Sequence, residues 1–400
     1  MTTLILSDLH LGSNSRADLL RRPELREALL GALGGVDRVV LLGDVLELRH
    51  GPMREAMATA RPFFEDLGRA LEGRELVITA GNHDHALIEP WLASRGADSD
   101  PGPLQPEQLL DPVAASPAMA RIAEWCSPAR VLVAYPGIWV REDVYAMHGH
   151  YLDCHMTVPT LERLSVGVMS RLLRRPPASF QGADDYEAMG SPVFAWRDAV
   201  ARSAHTGAAL NGVATVNAWQ ALGGGPGSGA PAAGSRAGLG RLVTARTRRR
   251  ALRRAFPLVV GALNRAGLGP LGTAISPVEL RRAGLKAMGE VAARLGLGDA
   301  YVIFGHTHRA GPFPADEETE WRGRGGARLL NAGSWTYASI FMDGSGSENP
   351  YWPGVCVLVG PSGPPTLLPL LKSREQKELK PPPRTPAGPA AAAATVTPAR

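Results

Sequence analysis

The sequence predicts an α/β fold of the α+β kind, with polar residues gathered at the ends of its strands. Three observations predict it. Short apolar runs of strand length recur between residues 1 and 156 and again after 300, separated by segments with leucine at helical spacing. Asp, Asn or His follows several of those runs at once. Hydrophobic residues make up 44% of the 400, ample for a sizeable core, and 20% are charged. Glycine and proline together reach 80, one residue in five. That excess is too small for collagen and points to a few loop-rich stretches.

The elements follow in order. Leu4–Leu6 reads as a strand ending at Ser7-Asp8, and residues 18–33 as a helix. Val39–Leu42 is a second strand, ending at Gly43-Asp44. Residues 53–72 look helical with a kink at Pro62. Leu76–Thr79 is a third strand, ending at Gly81-Asn82, and the Pro- and Asp-rich residues 97–117 read as a loop. A short helix over 118–126 leads to strands Val131–Ala134 and Val144–Met147, the latter ending at His148.

The pattern changes near residue 157. Residues 160–175 read as a helix with leucines on one face and Arg171, Arg174 and Arg175 near its end. Residues 207–240 are rich in Gly, Ala, Ser and Pro and read as a flexible loop. Residues 241–254 hold seven arginines and no acid, more than the whole chain's net charge of +5. A helix over 277–295 is followed by strands Tyr301–Phe304, Leu329–Asn331 and Val355–Val359. Beyond about 372 the chain is Pro/Ala-rich and is expected to be disordered.

Composition also bounds the function classes. Three scattered cysteines, Cys126, Cys154 and Cys356, fit neither a disulfide framework nor a structural zinc site and suggest a reducing, cytoplasmic setting. Cys126 and Cys356 read as small core residues. Met1-Thr2 leads straight into an apolar run with no basic stretch, so no secretory leader is expected. No run of about 18 apolar residues suggests a transmembrane segment.

Five short pieces carry chemistry. They are Asp8-Leu9-His10, Gly43-Asp44, Gly81-Asn82-His83-Asp84, His148-Gly149-His150 and Gly305-His306-Thr307-His308. Asp, Asn and His suit borderline divalent metals such as Mn, Fe, Zn or Ni. In extended backbone, residues i and i+2 face one way, so Asp8 with His10 and His306 with His308 are expected to point into one site. Gly43, Gly81 and Gly305 let backbone and ligands crowd together.

In order and spelling, these pieces resemble the calcineurin-like metallophosphoesterase family, whose pattern runs D-x-H, G-D-x-x-D/E, G-N-H-D/E, H and G-H-x-H. Here they stand as Asp8-Leu9-His10, Gly43-Asp44-Val45-Leu46-Glu47, Gly81-Asn82-His83-Asp84, His148 and Gly305-His306-Thr307-His308. The later Asn331-Ala332-Gly333-Ser334-Trp335 also looks like a segment that follows G-H-x-H in relatives. The resemblance covers residues 1–156 and 297–371. It implies a two-sheet β-sandwich flanked by helices, split by an insertion over 157–296.

The resemblance also implies roles. One metal would take Asp8, His10, Asp44 and His308; the other would take Asp44, Asn82, His148 and His306, with Asp44 bridging. Two divalent ions, Mn2+ first and Fe, Zn or Ni as alternatives, would acidify a bridging water that attacks phosphorus. His83 would protonate the leaving oxygen or stabilise the transition state, and Asp84 would orient His83. Glu47 is expected behind the ligands, as is His150. His85 reads as a solvated loop histidine. Asp153, Cys154 and His155 are open between pocket lining and ordinary packing, and His50 and His205 have no evident partner.

The opening Asp8-Leu9-His10-Leu11 and the Gly43–Glu47 piece look like the branch containing UDP-2,3-diacylglucosamine pyrophosphohydrolases. Two features depart from that branch: His83 stands where it commonly has arginine, and the insertion is longer and Gly-rich. The expected substrate is therefore a phosphoester or pyrophosphate, extended to a nucleotide or lipid-linked molecule. The insertion reads either as a cap over the site or as a peripheral elaboration. Its basic, apolar segments 161–175 and 241–263 suggest peripheral contact with an anionic membrane. Rival readings are a non-catalytic interaction platform, or a nuclease or nucleic-acid-binding protein using the arginine cluster, although only Phe256 lies near that cluster.

Overall fold

The structure is a computed structural model that describes residues 1–97, 102–203, 258, 260–271, 276–342 and 344–382. The Gly-rich stretch 207–240, the arginine cluster 241–254 and His205 lie outside those residues.

Among the described residues, ten strands form one continuous mixed sheet. One wing holds β1 (Thr3–Leu6), β2 (Arg38–Leu42), β3 (Glu75–Thr79) and the start of β5 (Arg130–Arg141), all parallel; at its edge β9 (Val355–Val359) is antiparallel to β1, and β10 (Thr366–Pro369) is antiparallel to β9. The other wing holds the end of β5, β6 (Val144–Met147), β7 (Tyr301–Phe304) and β8 (Arg328–Asn331). β5 pairs with β3 through residues 130–133 and with β6 through 137–141, so it belongs to both wings.

The alternation of side chains along the strands explains the layering. Ile5, Val40, Leu42 and Val77 from one wing share a buried cluster with Ile138, Val144, Ala146, Ile303 and Leu330 from the other. The two layers expected for the sandwich are thus one open sheet folded over through β5. Residues of opposite parity, such as Leu4, Leu6, Leu41 and Ile78, join a second cluster with the flanking helices.

Helix α2 (Met53–Ala70) buries Phe63 and Phe64 fully and runs on through Pro62. Burying each phenyl ring contributes about 1.5–3 kcal/mol.

Several expectations need correction. The loop over 97–117 contains β4 (Glu107–Leu110), which pairs with β5, and helix α4 (Pro112–Ala115). Edge strands tolerate the polar and Pro-rich flanks that hid this one. The chain beyond 372 stays ordered through a capping box, in which Glu375 and Glu378 exchange bonds with each other's backbone, and through buried Leu379. The tail from 383 lies outside the described residues.

The segment 157–296 contains α6 (Leu161–Leu173), α7 (Ala183–Ser203) and α8 (Pro277–Arg294). Val166, Phe180, Tyr186, Met189, Met288 and Val291 all belong to the main helix-side core. These helices therefore pack on the sheet rather than stand off from it. Among the described residues, no helix is long and apolar enough to cross a membrane.

Candidate metal centre

The five pieces converge at the carboxyl ends of β1, β2, β3, β6 and β7. They do so on a backbone that is not extended. Asp8, His10, Asp44, His306 and His308 all have positive φ, between 46° and 65°. This corrects the expectation that strand alternation aims Asp8 with His10 and His306 with His308. A non-glycine residue in the left-handed region is uncommon and costs of order 1–3 kcal/mol, and such residues gather at functional sites. Close approach also demands glycine: a Cβ on Gly81 would strike Asp44 and His148, and one on Gly305 would strike Ser7 and Asp8.

Each central carboxylate divides its work. Asp8 Oδ2 accepts the His306 backbone N–H at 2.9 Å, and Asp44 Oδ1 accepts that of His83 at 2.8 Å. The other oxygens face histidines. Asp8 Oδ1 lies 3.2 Å from His308 Nε2 and 3.5 Å from His148 Nε2. Asp44 Oδ2 lies 3.4 Å from His148 Nε2 and 3.6 Å from His10 Nε2. Three triplets each bring ligand atoms within 4.8 Å of one another: Asp8–His10–His308, His10–Asp44–His83 and Asp44–His148–His306.

The histidine partners fix which nitrogen is free. A carboxylate only accepts, so a histidine nitrogen bonded to one carries the proton. Glu47 lies 3.1 Å from His10 Nδ1 and 2.9 Å from His83 Nδ1, leaving both Nε2 atoms facing inward. Asp153 lies 3.0 Å from His306 Nε2, leaving Nδ1 inward. The tip of the Asn82 amide sits 3.2 Å from that Nδ1. Thr336 supports His308 Nδ1 at 3.4 Å, and His150 Nδ1 stands 3.1 Å from His148 Nδ1. Ser334 and the Trp335 N–H both donate to the Asp8 carbonyl at 3.1 Å, so the Asn331–Trp335 segment braces the first piece.

Charge and burial oppose each other throughout. Burial alone would raise Asp8, but His308, His10 and His148 hold it well below the usual carboxylate range. Burial would lower His148, but Asp44 and Asp8 push it up to about 10. Burial and then Arg49 bring His83 down to about 4 against the pull of Glu47.

Two further expectations are corrected. Asp84 does not orient His83. Its carboxylate accepts backbone N–H groups from Gly81 and Val45 at 2.7 Å and from Asp44 and Leu46 at 3.2 Å. It ties the second and third pieces together, and Glu47 takes the role at His83. His85 is not solvated either: it is 1% exposed, with Nε2 3.1 Å from Glu187 on α7. Helix α7 covers it. Asp153 holds a candidate ligand, His155 bonds Tyr186 at 2.8 Å in ordinary packing, Cys154 is buried, and His50 sits 3.8 Å from Glu47.

Three participants were not foreseen. Arg49 is buried and donates to the Asn82 carbonyl. Glu187 accepts from Tyr135, Tyr151 and Ser191 as well as facing His85. Arg197 pairs with Glu162 at 3.0 Å. Arg49 had a signal, standing two residues after Glu47 in a motif loop. Glu187 and Arg197 had none.

A metal ion meets the needs of this cluster. Asp8 Oδ1 and His148 Nε2 are buried without a hydrogen-bond partner, and His10, His306 and His308 turn ring nitrogens towards the same space, His10 Nε2 and His308 Nε2 lying 3.3 Å apart. Buried carboxylates and imidazoles converging from five strand ends define a metallophosphoesterase-type site. Residues 1–185 match the model of the calcineurin-like phosphoesterase family. No curated protein matches the chain. The family implies a metal-dependent phosphohydrolase.

Proposed function

We propose that the protein is a dinuclear metal phosphohydrolase that cleaves a phosphoester or pyrophosphate bond. The observation that carries this reading is the pair of unpartnered buried atoms, Asp8 Oδ1 and His148 Nε2, among convergent imidazole nitrogens. One cation would take Asp8, His10, Asp44 and His308, and the other Asp44, Asn82, His148 and His306. Mn2+ is the first choice for this ligand set, with Fe, Zn or Ni as alternatives. When bound, such a pair supplies Lewis-acid charge to phosphoryl oxygens and acidifies a water.

The chain's own residues do the rest. Glu47 fixes His83 with Nε2 towards the centre, 4.0 Å from Asp44 Oδ2. His83 is neutral in the unliganded site, and an arriving phosphoryl dianion raises its proton affinity. The imidazolium so formed donates Nε2–H to the leaving oxygen. Asp84 holds the Gly43 and Gly81 loops in register, and Asp153 and Thr336 set the rings of His306 and His308.

The cytoplasm fits the three free cysteines. Val168, Leu172 and Leu173 are exposed on α6, in the segment that carries Arg171 and Arg174, which supports a peripheral contact with an anionic membrane and a lipid-linked or nucleotide substrate. The test is an assay with Mn2+ on a phosphomonoester, a phosphodiester and a nucleotide pyrophosphate. Turnover of at least one class is expected. A protein that binds metal and cleaves none of the three contradicts the reading.

A further inference from the structure

Arg49 and Arg197 come from opposite sides of one junction. Arg49 follows the Gly43–Glu47 loop, and its guanidinium carbon lies 5.8 Å from the Phe194 ring on α7. Arg197 is three residues beyond Phe194, on the same helix face. Arg49 is only 8% exposed, and its Nε has no hydrogen-bond partner. Burial, and after it the positive charge of Arg197, holds the Arg49 guanidinium below its usual range.

Arg49 is buried and Arg197 half-buried; two neighbouring guanidiniums repel, and the acids around them only partly offset this. Glu162 pairs with Arg197 at 3.0 Å. Asp44 and Glu47 also face Arg49, but they are already engaged by His10, His83 and His148. Arg49 donates to the neutral Asn82 carbonyl but makes no ion pair with a carboxylate among the described residues, so its charge stays uncompensated beside the proposed centre and against the helix that covers it. A buried, unsatisfied donor costs about 1–3 kcal/mol, more when charged, and a guanidinium fork suits an oxyanion.

We infer that Arg49 and Arg197 form a subsite for a second oxyanion of the substrate, a phosphate or carboxylate on the departing portion. This rests on the phosphohydrolase reading above and narrows it. The favoured substrates carry a second anionic group beyond the bond that breaks. A narrow cleft between α6 and α7, lined by Glu162, Val166, Met189, Phe194 and Arg197, adjoins the pair.

Binding tests the subsite apart from turnover. Calorimetry on the metal-loaded protein compares methylenediphosphonate with methylphosphonate in wild type, Arg197→Gln and Arg197→Lys. The wild type is expected to prefer the diphosphonate at least tenfold, Arg197→Gln to lose that preference, and Arg197→Lys to recover part of it. A preference unchanged in Arg197→Gln overturns the inference, whether or not the protein is a hydrolase. If turnover is found, kcat/KM is compared for p-nitrophenyl phosphate, a carboxylate-bearing phosphomonoester and a nucleoside diphosphate. Arg197→Gln should lower the ratio for one or both substrates with a second anionic group over p-nitrophenyl phosphate by at least tenfold, and which ratio falls distinguishes phosphate from carboxylate. An equal loss on all three overturns the subsite. Equal melting temperatures for the variants exclude a folding defect.

Discussion

The Glu47 carboxylate reaches Nδ1 of His83 at 2.9 Å, and the same side chain holds Nδ1 of His10 at 3.1 Å. One buried acid therefore sets the tautomer of both the proposed proton donor and a proposed ligand. Glu47→Gln keeps the size but allows an N–H to face Nδ1, which favours the wrong tautomer. Activity should fall about 100-fold, within the range for general acid–base groups. Metal affinity should weaken by about tenfold, as for other groups that orient ligands. Steady-state kinetics and metal titration on one preparation check both. Wild-type kcat would remove Glu47 from the account.

Asp84 gives a prediction of a different kind. Its four backbone bonds make it a fastener, so Asp84→Asn should cost about 2–4 kcal/mol of stability. The amide leaves one acceptor oxygen and turns a donor towards backbone N–H groups. Thermal or urea unfolding measures the loss. Intact stability with a large fall in kcat would instead return Asp84 to the chemistry at His83.

Metal uptake should depend on pH with a definite sign. Asp44 and Asp8 hold the His148 proton up to about 10, so the metal-free protein carries it at neutral pH. A cation at Nε2 must displace that proton. Affinity should therefore rise with pH between 6.5 and 8.5, by about tenfold per unit for each proton displaced. Mn2+ titrations across that range, repeated in buffers of different ionisation enthalpy, count the protons released. An affinity flat with pH would contradict the arrangement.

Glu187 fastens α7 to the sheet. It accepts from the hydroxyls of Tyr135 and Tyr151 and faces His85. Glu187→Ala leaves all three buried without that partner and should cost about 3–5 kcal/mol. Hydrogen exchange should show the loss concentrated in α7 and the 85–87 turn. A change within 0.5 kcal/mol would mean that α7 docks by apolar packing alone.

Local chemistry made much of this site readable in advance. Seven candidate ligands, from Asp8 to His308, sit in short pieces at strand ends, and apolar runs of strand length located the strands themselves. What escaped reading depends on long-range contact. Helix α7 lacks a clean apolar stripe and includes Gly190 and Pro192, so nothing local marked it. Its Glu187 and Arg197 gain meaning only once the helix lies across His85 and Arg49. The ligands converge as expected, but the backbone that aims them was misread, because five of them take a left-handed conformation that no pattern of residue types reveals.

The central claim is that two cations share Asp44. Elemental analysis of wild type and Asp44→Ala, paired with Mn2+-supported turnover, tests it most directly. The account predicts about two metals per wild-type chain, at most one in the variant, and activity lost with the missing metal. A variant that keeps both metals, or a wild type that turns over substrate with none, would contradict it.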